Sequence, residues 1–299
     1  MRALAGVYVP VVTTFDAASE DLVIDRFTAN IRAHLAAGID GIVAAGSTGE
    51  APLLEESERR QLLESAREVI PAERTLVAGI GGESSRITIR RARDAKTAGA
   101  DAVLVVSPHY YTSAMTPGAL RDHFTRVADE SPLPVLLYNI PKYAHFALSP
   151  ALVSELAEHP NIAGMKDSAG DLAVLEGYLQ SQSPTFTVLT GNGPTFASAL
   201  ALGVKGGILA AALFAPDVAR EVYDAAARGD AEGSRAAQER MTVPARVIVN
   251  ELGVPGVKAA LDAIGLHGGV SRSPLRALDA AGRARVADLM RGLSGAPVA

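Results

Sequence analysis

The sequence has no cysteine and no tryptophan, and aromatics make up only 5% of its 299 residues. Without cysteine there is no disulfide, no thiolate metal ligand and no cysteine nucleophile. Positive charge is not in surplus either. The formal net charge is −5 at pH 7, with both signs well mixed, which leaves no electrostatic footprint for nucleic acid or an anionic membrane surface. No apolar run reaches the length of a bilayer span. Residues 1–10 lack the charged start and long apolar stretch of a signal peptide, so a cytoplasmic location is expected, with neither nucleic acid nor membrane as partner. The six histidines are scattered, with no His-Glu cluster at ligand spacing, and no metal is expected. No Gly-x-Ser-x-Gly elbow presents a serine triad. Gly79-Ile80-Gly81-Gly82 lacks the Lys-Ser/Thr of a phosphate loop and reads as a tight turn. Lysine is scarce too, at five against 23 arginines. What the chain does have is apolar content, 48% of residues, enough to bury a large core.

That content is arranged as short β-branched runs alternating with longer segments of helical period. Strands are expected over 6–13, 41–45, 76–79, 102–107, 134–139, 162–166, 186–190 and 206–210. Helices are expected over 25–37, 54–69, 84–98, 117–129, 150–158, 171–180, 194–202 and 216–228. The strands read as continuous apolar runs, the mark of parallel strands buried on both faces. Ala37-Gly38-Ile39-Asp40-Gly41, Ala98-Gly99-Ala100-Asp101-Ala102 and Leu202-Gly203-Val204-Lys205-Gly206 repeat one device, a glycine helix stop running into a strand. Eight such βα units predict an α/β protein whose residues 1–229 form a (β/α)8 barrel, with a doubly wound open sheet as the alternative. Residues 230–299 change character and predict a C-terminal helical extension, with helices over 230–250, 256–264 and 279–292.

In such a barrel the chemistry lies at the C-terminal strand ends. The sixth predicted strand ends in Lys166. An arginine stays charged, whereas a desolvated lysine can lose its proton and act as a nucleophilic amine. Lys166 is therefore a candidate Schiff-base former, with a salt-bridged or snorkelling lysine as the plain alternative. After strand two, Gly46-Ser47-Thr48-Gly49-Glu50 sets two hydroxyls between glycines at an expected helix start, a nest for a carboxylate or simply a helix cap. Strand five ends at Tyr138, a proton relay or a packed phenol with a satisfied hydroxyl. Tyr110 and Tyr111 follow Pro108 in a loop, where large aromatics serve interfaces or substrates. Lys142 lies at the same end of the barrel and suits either an acidic substrate group or solvent.

Gly46-Ser47-Thr48-Gly49-Glu50, Tyr138-Asn139-Ile140-Pro141 and Gly164-Met165-Lys166-Asp167-Ser168 resemble, in order and spacing, the signature stretches of the dihydrodipicolinate synthase / N-acetylneuraminate lyase family. The resemblance runs from about residue 6 to 278. It implies a (β/α)8 barrel with a C-terminal helical extension, a homotetramer built as a dimer of dimers, and a class I pyruvate-dependent lyase or aldolase acting on a small 2-oxo acid without metal or organic cofactor. By the same resemblance Lys166 is the Schiff-base lysine and Tyr138 the proton relay. Ser47 and Thr48 are the carboxylate binders, with one hydroxyl joining the relay. Tyr110 is the tyrosine lent across a tight-dimer interface, with Tyr111 as the fallback. Gly191 and Ile208 line the pyruvate pocket. Dihydrodipicolinate synthases usually carry an arginine where this chain has Tyr143, which turns the reading away from lysine biosynthesis. Ser168, the loop after Pro108 and Gly253-Val254-Pro255-Gly256-Val257-Lys258 look more like the 4-hydroxy-2-oxoglutarate aldolase branch. The expected reaction is therefore cleavage of 4-hydroxy-2-oxoglutarate or a similar acid. Dihydrodipicolinate synthesis, then a 2-keto-3-deoxy sugar-acid aldolase or N-acetylneuraminate lyase, stand as alternatives. A non-catalytic 2-oxo-acid binding protein is the rival from another class.

Overall fold

The computed structural model describes residues 4–293; residues 294–299 of the expected extension lie outside it. Eight parallel strands close into a barrel in sequence order: β1 Gly6–Pro10, β2 Gly41–Ala44, β3 Thr75–Gly79, β4 Ala102–Val106, β5 Val135–Asn139, β6 Ile162–Asp167, β7 Thr187–Thr190 and β8 Gly206–Ile208. The open-sheet alternative is excluded by the pairing of β1 with β8. Between strands run α1 Ile24–Ala36, α2 Glu56–Val69, α3 Ser85–Thr97, α4 Pro117–Glu130, α5 Pro141–Ala144, α6 Pro150–Ala157, α7 Leu172–Leu179 and α8 Phe196–Leu202. After β8 come α9 Pro216–Ala227 and the C-terminal helices α10 Ala231–Pro244, α11 Gly253–Ala263 and α12 Ala280–Leu293. No helix among the described residues is long and apolar enough to cross a membrane.

Strand alternation sorts the apolar residues into two layers. Tyr8, Val43, Val77, Leu104, Leu136, Leu189 and Ile208 fill the barrel interior. Val7, Val9, Ile42, Leu76, Val103, Val105, Leu137, Met165 and Val188 face the helices in the larger outer core. A register shift sits between β5 and β6: Val135 pairs with Ile162 but Leu136 with Gly164. The extra residue, Ala163, resets the alternation of β6. As a result Tyr138 and Lys166 become register partners at the C-terminal end. Gly164 follows that irregularity at φ 158°, and a Cβ there would strike the carbonyl oxygen of Thr187 on β7.

Departures from the expected elements fall at their ends. Residues 51–53 form a 3-10 turn, and α2 begins only at Glu56, behind a capping box of Glu55 and Glu58. β5 ends at Asn139 as expected, and Pro141 just beyond it also opens the short helix α5, because proline suits the first helical position. The helix expected over 230–250 ends at Pro244, which has no N–H to donate. The chain then widens into a π-helical turn, Ala245–Glu251. α10 packs on α9, and α11 meets both this turn and the 210–213 turn that follows β8. This brings the C-terminal helices over the C-terminal mouth of the barrel.

Candidate active site

Lys166 is the penultimate residue of the buried strand β6 and is 5% exposed. Its Nζ donates to Tyr138 Oη at 3.1 Å and sits 4.3 Å from the centre of that ring. The strand's sequel is braced from behind. Asn139 Nδ2 donates to Asp167 Oδ1 at 2.6 Å, the Ser168 N–H donates to the Asn139 carbonyl at 2.9 Å, and the Gly191 N–H donates to the Asp167 carbonyl at 2.6 Å. Burial pushes the Asp167 carboxyl upward against the pull of the Asn139 hydrogen bond and of neighbouring backbone amides. Gly191 is required sterically, since a Cβ there would lie 2.5 Å from Lys166 Cε and would strike Ser168 Oγ.

Above the lysine lies a narrow cleft of about 80 Å³ lined by Ser47, Thr48, Tyr138, Tyr143, Lys166, Ser168, Gly191 and Ile208. Tertiary structure thus gathers these eight residues, all singled out in the sequence, around one cleft. Tyr110 is not among them. It is 77% exposed, edge-on to Tyr111 at 5.0 Å between ring centres, and its N–H and that of His109 donate to Glu83 Oε2.

The Ser47-Thr48 turn is held by hydrogen bonds from the Glu50 N–H to the Ser47 carbonyl and from the Ala51 N–H to the Gly46 carbonyl, both 3.2 Å. Thr13 Oγ1 donates to the Gly49 carbonyl at 2.6 Å. Among the described residues, neither the Ser47 nor the Thr48 N–H donates to a protein acceptor. The expected α-helix start at this turn is absent. α2 begins six residues beyond Glu50, so unengaged amides and hydroxyls, rather than a helix dipole, make the nest. Arg59 of α2 is 3% exposed and bridges the Gly79 and Ala51 carbonyls at 2.8 Å each. Desolvation lowers its pKa to about 10.

The sequence reading missed Val249 and Asn250 from the π-helical turn, and named Gly253, Val254 and Val257 of α11 without placing them on the opposite wall, where they lie. Helical periodicity alone carries no signal for a π turn. Lys142 of α5 also lines the cleft and donates from Nζ to the Asn250 carbonyl at 2.8 Å. Partial burial lowers its pKa. The lining thus holds two amines, Lys142 and Lys166, and no carboxylate. Past Tyr138, Ile140 and Tyr143 the cleft adjoins a mostly apolar cavity of about 730 Å³, which reaches Glu83, Arg91, His109 and Leu275. Gly81 and Gly82 line it, so the glycine-rich turn does lie at this end of the barrel.

Comparison with known proteins agrees with this geometry. The chain is 38% identical over 287 residues to an uncharacterised DapA-like lyase of Halobacterium salinarum, covering 96% of this chain and 93% of the relative. It is 32% identical over 267 residues to the 4-hydroxy-tetrahydrodipicolinate synthase of an Exiguobacterium species, covering 89% and 90%. Its fold superposes with a TM-score of 0.91 on YagE, a prophage protein of the dihydrodipicolinic acid synthase family from E. coli K12, solved in complex with pyruvate; identity is 31%, over 97% of this chain and 99% of that one. The family model for the dihydrodipicolinate synthetase family matches residues 3–292. The chain is a pyruvate-dependent lyase or synthase and belongs to the dihydrodipicolinate synthetase family.

Proposed function

We propose that Lys166 forms a Schiff base with the ketone of a 2-oxo acid whose carboxylate rests on the Ser47-Thr48 turn. The observation that carries this reading is the 3.1 Å contact between Lys166 Nζ and Tyr138 Oη at the bottom of the narrow cleft. In its neutral form Lys166 attacks C2 of the substrate. The resulting carbinolamine loses its hydroxyl as water, with the proton delivered through Tyr138, and leaves an imine. In the cleavage direction the C4 hydroxyl gives up its proton and becomes an aldehyde. The C3–C4 bond breaks, and its electron pair passes into the protonated imine as an enamine. Protonation at C3 and hydrolysis then release pyruvate.

The substrate reading is 4-hydroxy-2-oxoglutarate or a related 4-hydroxy-2-oxo acid with an acidic far end. Two features support it: Tyr143 stands where dihydrodipicolinate synthases usually carry arginine, and Lys142 supplies a positive charge to a lining without carboxylates. The second reading, condensation of pyruvate with aspartate semialdehyde, is supported by the names of the synthase relatives. Both share the pyruvate half and differ only beyond Tyr143. The exposed Tyr110 and Tyr111, next in the chain to the cavity-lining His109, support a tight dimer in which a tyrosine of one copy enters the site of the other, within a homotetramer.

Borohydride reduction in the presence of pyruvate, followed by peptide mass analysis, tests the core. The adduct is expected on the peptide holding Lys166, and its absence there sinks the proposal. A pyruvate-release assay over a panel of 4-hydroxy-2-oxo acids, run beside aspartate semialdehyde condensation, decides between the two substrates.

A further inference from the structure

The Ser47-Thr48 turn ends in Glu50, which is constrained on both backbone and side chain. It is 2% exposed and left-handed at φ 58°, a conformation a side chain of its kind rarely adopts. Its carboxylate has two destinations, both in the C-terminal part of the chain. Oε1 pairs with Lys258 Nζ of α11 at 2.6 Å, and the two side chains are 0% and 1% exposed. Oε2 accepts the Arg272 N–H at 2.8 Å. Lys258 Nζ also donates to the Val270 carbonyl, and the Arg272 guanidinium makes two 2.6 Å bonds to Glu58 of α2. The buried Phe15 ring, from the segment after β1, lies 4.8 Å from Lys258 Nζ and 4.2 Å from the centre of the Arg272 guanidinium.

A fully desolvated ion pair is a poor source of net stability. What it does well is fix a geometry, because moving either partner strands a charge. Two facts say which geometry is fixed here. Glu50 closes the turn that carries Ser47 and Thr48, and its own N–H bonds back to the Ser47 carbonyl. Lys258 directly follows Val257, which with Gly253 and Val254 forms the α11 wall of the cleft. The pair therefore spans the two sides of the cleft from behind.

We propose that Glu50 and Lys258 are positioning residues whose buried ion pair sets the Ser47-Thr48 turn against the α11 wall, so that 2-oxo acid binding requires the docked C-terminal helices. The proposal rests on the reading that this turn receives the substrate carboxylate. A free barrel with an undocked α11 would keep Lys166 and Tyr138 on adjacent strands and lose the far side of the carboxylate site. The pair acts on binding, not on the chemistry at Lys166.

The test is the concentration of pyruvate that half-saturates borohydride trapping, read separately from the trapping rate at saturation. Glu50→Gln and Lys258→Gln are each expected to raise the half-saturating concentration about tenfold, given that an ångström-scale misplacement costs up to about a hundredfold. The saturated rate is expected to stay within about twofold, since it reads a step at Lys166 that the pair does not touch. Because either single variant strands a buried charge and can fail to fold, Glu50→Gln/Lys258→Gln is made as well. It strands no charge, and the proposal expects it to bind pyruvate as weakly as the singles. Folded variants with lowered melting temperature but wild-type half-saturation would overturn the proposal and leave the pair a structural strut. Ser47→Ala separates the two layers of the argument. Unchanged pyruvate binding in Ser47→Ala would overturn the carboxylate reading itself, and the proposal with it. Weakened binding there, with wild-type binding in the Glu50 and Lys258 variants, would overturn the proposal alone.

Discussion

Lys166 and Tyr138 are register partners on adjacent parallel strands, and their polar tips meet at 3.1 Å inside the barrel mouth. Two residues 28 apart in sequence meet because one unpaired residue, Ala163, shifts the register of β6 below them. Tyr138→Phe keeps the ring that packs 4.3 Å from the amine and removes only the hydroxyl. The expected result is a fall in kcat of about a hundredfold or more, the usual contribution of a positioned acid–base group, with KM within a few-fold of wild type. Steady-state kinetics beside borohydride trapping checks this, and an unchanged kcat would remove Tyr138 from the mechanism.

Lys142 is tethered to the Asn250 carbonyl at 2.8 Å, with no carboxylate partner among the described residues. Lys142→Met is expected to weaken the binding of substrates with an acidic far end by about tenfold, the scale of one charge-assisted hydrogen bond. Neutral-ended 2-oxo acids of equal length are expected to bind as before. The comparison of 2-oxoglutarate with 2-oxopentanoate in the trapping assay measures the difference directly, and an equal effect on both would remove Lys142 from substrate selection.

Gly191 faces the lysine at a distance that leaves no room for a methyl group. Gly191→Ala is expected to displace Lys166 or Ser168 and to reduce kcat/KM by about ten- to a hundredfold, as small displacements of reacting groups do. β7 and its ladder should survive, because the collision is with side chains, which can move. A melting temperature near wild type with lost activity is the expected pair of readings.

Acid should destabilise the fold in a window set by two buried histidines. His34 is 1% exposed, neither ring nitrogen has a hydrogen-bond partner among the described residues, and desolvation lowers its pKa to about 4. His123, bonded through Nδ1 to Ser85 Oγ, is lowered to about 4 chiefly by burial. In the unfolded chain both titrate near the ordinary value of 6.5. Between these values the unfolded state binds more protons, so stability is complete above about pH 6.5 and declines as pH falls toward 4. Each histidine accounts for up to about 3 kcal/mol across the window. Urea denaturation at pH 7.5, 6 and 5 reads the decline before the carboxylates with lowered pKa, Glu56 and Glu58, begin to contribute. His34→Leu should flatten its share, and a decline of equal size in that variant would contradict the assignment.

Local pattern was a good guide wherever the chain repeats itself. The continuous apolar strands, the glycine stops and the lysine at the end of the sixth run each depend on near neighbours in sequence, and each lies where expected. Element ends were less legible. The short helix α5 that Pro141 opens beyond the end of β5 has no periodic signal at four residues, and the π-helical turn after Pro244 has the composition of an ordinary helix. The second of these hid part of the cleft's outer wall, since Val249 and Asn250 lie on the π-helical turn, whereas Lys142 and Tyr143 on α5 were legible from their place after the fifth strand.

Local pattern carried the eight βα units, the strand that holds Lys166, the hydroxyls after the second strand and the phenol at the end of the fifth, because side-chain period and turn chemistry are local properties, while the pairing of β1 with β8 closed the barrel. Which of these residues share a cleft depends on contacts between segments far apart in the chain. Barrel closure sets the register that brings Tyr138 to Lys166. Docking of the C-terminal helices joins Glu50 to a lysine 208 positions further along the chain. Tyr110, on the loop after β4, lies outside the cleft of a single chain. Such contacts are fixed by burial and charge pairing between distant segments, which no local pattern encodes.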